Sequence, residues 1–219
     1  PTRIAQAKQM LEGGEPERDF GEYCHKPYGC TFWEYCSRDI IPHPSVFDLY
    51  RMTFKKALEH MNEGRLTLED MREEKLTDTQ QLQLECTLGD KTYINKDGIK
   101  EFLTQLSYPL YFLDFETEQT VIPKYQGTHP YQQVTFQYSL HYIEQEGGEL
   151  KHTEFLGDGV TDPRRALAEQ LCHDIPMNVC TTAYNKAFEC TRLKELAEAY
   201  PDLAPHLINI KEHIVDLLD

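Results

Sequence analysis

Long apolar runs are missing from this sequence. None approaches the roughly 18 consecutive apolar residues that a membrane-spanning helix needs, and no secretory pattern opens the chain, so no membrane partner and a cytoplasmic location are expected. Positive charge is scarce as well. Lys and Arg number 22 against 37 Asp and Glu, a net charge of -15 at pH 7. The field of the whole molecule therefore repels nucleic acid, and any contact with it must be local. The seven cysteines, an odd number, do not suggest a disulfide framework. The chain begins at Pro1 without methionine, and Leu217-Leu218-Asp219 lie inside what reads as a regular element, so a piece of a longer protein is expected. The 219 residues suit two modest domains better than one.

What is present centres on Tyr108-Pro109-Leu110-Tyr111-Phe112-Leu113-Asp114-Phe115-Glu116-Thr117. This apolar and aromatic run reads as a core strand buried on both faces, with two carboxylates at its exit. Alternation along a strand puts Asp114 and Glu116 on one face and Leu113 and Phe115 on the other. Two anions side by side at the end of a core strand are costly unless neutralised, and a divalent metal is the simplest candidate. An exposed polar strand end is the alternative.

Cys24, Cys30 and Cys36 follow one another with five residues between each pair, among turn residues and the aromatic Phe32, Trp33 and Tyr35. That step is wider than the two to four residues usual within a zinc-finger pair. A loop wrapped round an iron-sulfur cluster suits it better, although such a cluster takes four thiolates. Buried thiols acting as small hydrophobes are the other reading, and it is the preferred one for Cys86, Cys172, Cys180 and Cys190.

Elsewhere the chain alternates helices and strands. A helix over residues 3–11 is closed by Gly13-Gly14 and Pro16, and residues 45–106 read as a helical connector. Within the connector, Val46, Leu49, Tyr50, Phe54 and Leu58 recur at helical intervals, Lys91 to Ile94 suggest a short strand, and Asp97 is placed to cap the next helix. Gln80, Gln81 and Gln83 look like a solvated face. After the opening strand, a loop over residues 122–130 is placed to overhang the carboxylates, and a hairpin of residues 134–143 and 150–156 turns at Gly147-Gly148. A helix from Asp162-Pro163, a strand Val179 to Ala183 and a helix from Asn185 to about Tyr200 complete a mixed α/β sheet covered by helices. The expected division is 1–44, 45–106 and 107–219.

On that last helix, Leu193, Leu196, Ala197 and Tyr200 share a face with Glu189. Glu189 therefore points inward and requires a partner, which the strand end bearing Asp114 and Glu116 would supply. A solvated carboxylate in the first turn, favoured by the helix dipole, needs no such site.

Two resemblances attach to these residues. The Cys24, Cys30 and Cys36 group resembles the carboxyl-terminal cysteines of RecB-type nucleases. That resemblance implies three ligands of a 4Fe-4S cluster, with the fourth ligand and the nuclease core before Pro1. Zinc is the alternative metal. Asp114-Phe115-Glu116-Thr117 and Tyr184-Asn185-Lys186-Ala187-Phe188-Glu189 resemble the first two motifs of DnaQ-like exonucleases of the DEDD class. Here Glu189 stands where aspartate is usual, and the last motif is not visible. The combination with Phe136 to His141 and the cysteine group resembles a bacterial family described only as a domain of unknown function.

The second resemblance implies a ribonuclease H-like fold and a 3′–5′ exonuclease acting on single-stranded DNA or RNA ends. Asp114, Glu116 and Glu189 would be the catalytic carboxylates that bind Mg2+ or Mn2+, and Asn185 and Phe188 would orient the helix end or substrate. With no base in view, the chain as it stands is expected to be inert. A non-catalytic module binding nucleic-acid ends is the competing expectation. Asp216 is expected to be structural, and His206 and His213 to be surface histidines.

Overall fold

The computed structural model describes residues 2–15 and 18–218. Pro16, expected to close the first helix, lies outside them. The chain divides into two compact units, Pro1–Ile94 and Asn95–Asp219.

The first unit contains α1 (Thr2–Leu11), α2 (Trp33–Ser37), α3 (Phe54–Asn62) and α4 (Asp78–Leu88), joined by short 3-10 turns. Its core gathers Val46, Leu49, Ala57, Leu68, Met71 and Leu84. Trp33 packs against Phe20, Phe47 and Phe54, so the cysteine segment and the residues after 45 share one unit. The single helix suggested by Val46 through Leu58 is broken. Ser45 caps a 3-10 turn at Val46–Asp48, Arg51 takes a left-handed φ of 52°, and Thr53 caps α3 separately. Gln80 and Gln83 are not a solvated face. Gln80 closes a capping box with Thr77 and donates to the Tyr50 carbonyl at 2.9 Å, while Gln83 bonds both Tyr50 and Asp48. Residues 91–94 form no strand.

The second unit opens with α5 (Lys96–Leu103), whose cap is Asn95 and not Asp97: the Asn95 side chain accepts from the Gly98 N–H at 2.9 Å. This helix goes with the sheet, ahead of the boundary expected near Ser107. Its Gly98, Glu101 and Phe102 line a cavity of about 260 Å³ with Lys186, Val215 and Asp216.

The sheet is mixed and five-stranded: β1 (Leu110–Gln119), β2 (Gln133–Ile143), β3 (Leu150–Leu156), β4 (Cys180–Ala183) and β5 (Ile214–Asp216), in the order β3-β2-β1-β4-β5. β1, β2 and β3 are antiparallel neighbours, whereas β1, β4 and β5 run parallel. The parallel crossovers are made by α6 (Arg164–Asp174), then by α7 (Ala187–Ala199) followed by α8 (Ala204–Glu212).

One face of the sheet carries Tyr111, Leu113, Phe115, Tyr138 and Leu140. They form one core with Leu167 and Leu171 of α6, Leu193 and Leu196 of α7, and Leu207 and Ile210 of α8. Cys180 is buried in the sheet, and Cys172 and Cys190 pack half-buried against this core, where burial pushes Cys172 up to about 11. A β-strand's two faces are chemically distinct when one is packed and the other wet. Here the other face, bearing Asp114, Glu116, His141, His152 and Glu154, is open to solvent over β1, β2 and β3.

Candidate active site

Asp114 and Glu116 stand exposed on β1 between the buried Leu113 and Phe115, as strand alternation requires. Opposite them on β2 lie Ser139 and Gln137, and a register shift follows between Glu116 and Thr117. The last β1 residue paired with β4 is Phe112, opposite Thr182. Since β4 ends at Ala183, β1 continues past it without a partner on that side, and Asp114 stands beside the turn that leads into α7. In open α/β sheets this outer end of the parallel strands is where ligands bind.

That turn is held from below. Asn185 adopts a left-handed φ of 60°, a conformation asparagine tolerates better than most residues. The carboxylate of Asp216, at the end of β5, accepts from the backbone N–H groups of Asn185 at 2.8 Å, Lys186 at 2.9 Å and Leu218 at 3.0 Å. The hydrogen bond from Leu218, and then those from Lys186 and Asn185, hold Asp216 below the usual carboxylate range against the opposing effect of burial. Asp216 thus does for α7 what an N-cap side chain normally does, from a strand 30 residues away.

Glu189 sits in the first turn of α7, only 4 % exposed, on the stripe continued by Leu193, Leu196 and Ala197. Its Oε2 is buried without a hydrogen-bond partner among the described residues. Burial pushes its carboxyl upward, and the charges of Asp114 and Asp216 push it further against the opposing pull of its own backbone N–H. The charges that raise Glu189 thus come from β1 and β5. Among the described residues, no three His, Cys, Asp or Glu side chains are gathered closely enough to hold a metal ion.

Phe188 packs half-buried against the core, with the Arg192 guanidinium 5.1 Å above its ring. Arg192 was not singled out by the sequence, although it lies three residues after Glu189 on the same helix. It is buried, bonds Gln133 and Glu195, and leaves its Nε without a partner. Gly127 and Gln132 of the loop after β1 line a cavity of about 260 Å³ with Arg164 and Arg192. His206 and His213 are not surface histidines. Each is half-buried and bonded to a carbonyl, of Ile175 and Asn209 respectively.

In the first unit, the Cys30 N–H donates to the Cys24 carbonyl at 2.8 Å, and Cys36 lies on α2. All three thiols are free, and the exposed Phe32 and Tyr35 line a cavity together with Cys36.

Residues 111–219, which carry every carboxylate of this site, match the family described as Domain of unknown function (DUF2779). This half of the chain is a DUF2779 domain. The match begins within β1 and includes both the Asp114 and the Glu189 segments, so the DUF2779 domain contains the whole sheet except Leu110. No curated protein and no solved structure matches the chain.

Proposed function

We propose that this chain carries the carboxylate site of a metal-dependent nuclease that hydrolyses phosphodiester bonds from the 3′ end of single-stranded DNA or RNA in the cytoplasm; with no base placed beside that site among the described residues, they are expected to be inert by themselves. The observation that carries the reading is Glu189, a carboxylate buried in the first turn of α7 with one oxygen unpartnered, facing the charges of Asp114 and Asp216. An anion held in that way is stabilised best by a cation. The mixed sheet with helices on one face is in keeping with the ribonuclease H-like resemblance, which belongs to this same proposal.

Asp114, Glu116 and Glu189 are the residues that would hold Mg2+ or Mn2+. Bound there, such ions supply activation of the attacking water and stabilisation of the leaving oxygen. Asp216 keeps the start of α7, and with it Glu189, in place through its hydrogen bonds from the Asn185 and Lys186 backbone N–H groups. Asn185 shapes the turn through its left-handed backbone, and Phe188 anchors the first turn on the core. Cys24, Cys30 and Cys36 would supply three thiolates to a 4Fe-4S cluster or to zinc. Iron and acid-labile sulfide analysis of protein purified without oxygen distinguishes the two.

A second reading, a non-catalytic module that binds nucleic-acid ends, is favoured by Asp216. Its carboxylate is engaged by three backbone amides, and among the described residues no three ligands are gathered. Mn2+ titration separates the readings. The nuclease requires a tight Mn2+ site that Asp114→Asn weakens. If the protein has no such site, or if Asp114→Asn leaves it unchanged, the catalytic reading fails.

A further inference from the structure

The open face of the sheet holds a second cluster that the carboxylate site does not use. His141 of β2 and His152 of β3 are directly opposite in register, with ring centroids 4.4 Å apart. The Nε2 of His152 lies 3.2 Å from Ser139 Oγ and 3.9 Å from a carboxylate oxygen of Glu154. Both imidazoles face solvent on the side of the sheet away from the core.

We propose that His141 and His152 form a two-nitrogen clamp for a borderline divalent ion such as Zn2+, with water completing its shell. Imidazole nitrogens suit zinc and its neighbours, whereas Mg2+ and Mn2+ prefer oxygen donors. The clamp is therefore chemically distinct from the carboxylate site. Two ligands at the usual zinc–nitrogen distance and a tetrahedral angle stand roughly 3.3 Å apart, a spacing within reach of rings whose centres are 4.4 Å apart.

Glu154, Asp114 and Glu116 on the same face add negative potential that favours a bound cation. Ser139 and Glu154 both lie at Nε2 of His152 and so are placed to orient the ring with its Nδ1 as the metal-binding nitrogen. The ion would tie β3, an edge strand held in the sheet by β2, more firmly to its neighbour.

The test is zinc stoichiometry of the full chain, compared among wild type, His141→Gln and His152→Gln. Zinc taken by cysteines is common to all three and cancels. The expected result is loss of one Zn2+ per chain in each variant, with unchanged circular dichroism and with that zinc retained in Asp114→Asn. In the unmutated protein, the imidazole proton resonances of both histidines should shift together on Zn2+ addition, and amide exchange along β3 should slow. Equal zinc content in wild type and both histidine variants overturns the site, as does the absence of any shift of the two imidazoles. Loss of the same zinc in Asp114→Asn also overturns it and assigns the ion to the carboxylates.

Discussion

Glu189 and Asp216 respond to pH in opposite senses. The carboxyl of Glu189 is raised in the folded protein, so its contribution to stability is complete below the ordinary glutamate range, about pH 4, and is lost as pH rises through the folded value. In metal-free protein, Glu189→Gln should therefore melt higher than wild type at pH 7, with the gap closing near pH 4. Thermal melts in a chelator check this. Added Mn2+ should raise the melting temperature of wild type and leave the variant where it was, if the proposed site is real. Asp216 is lowered, so its contribution is present above the ordinary aspartate range and is lost as pH falls through its folded value. Asp216→Asn should lower the melting temperature at pH 7 and flatten the loss of stability in acid. An unchanged melt at neutral pH would mean that the α7 turn holds without it.

At the scale of elements, Asp174 joins three of them. On α6, it accepts from the buried Tyr138 hydroxyl of β2 at 2.7 Å and from Thr153 of β3 at 3.2 Å. Burial pushes Asp174 up, but hydrogen bonds from His173, Tyr138, Gln170 and Thr153 outweigh it and bring it down. Tyr138→Phe removes a hydrogen bond to a charged acceptor and should cost about 1.5–3 kcal/mol, measured by urea denaturation. A cost within error of zero would show that the other three donors suffice.

Most of the elements were legible in the sequence because their signals are local. Alternation placed Asp114 and Glu116 opposite Leu113 and Phe115, and the 3.6-residue stripe turned Glu189 inward with Leu193 and Leu196. What was not legible depends on pairing between distant segments. Helical spacing through Val46 to Leu58 was interrupted by caps and by the left-handed Arg51, and the solvated look of Gln80 concealed a bond to Tyr50. The partnership of Asp216 with Asn185 and Lys186, like the facing of His141 and His152, requires a register that no single segment encodes.

For the whole molecule, the net charge of -15 sets the terms on which a nucleic acid can approach. Without divalent ions, a single strand should not be retained even at low ionic strength, because no field favours it. With Mn2+, retention should appear in wild type and be reduced in Asp114→Asn, as read by filter binding. Tight, salt-sensitive binding in a chelator would place the nucleic acid away from the carboxylates. The two units also make a separate prediction: residues 95–219 hold a complete core, so expressed alone they should give a cooperative melt. A gradual, non-cooperative melt would show that the sheet depends on residues 2–94.

The hold of Asp216 on the α7 turn also fixes when the site can come into being. A ribosome adding about 5–20 residues per second releases Asp114 and Glu116 several seconds before Asp216. For the last part of that interval Glu189 too has been added, without the carboxylate that anchors its helix start. In the newborn chain the start of the helix bearing Glu189 is therefore held only once the strand bearing Asp216 has emerged.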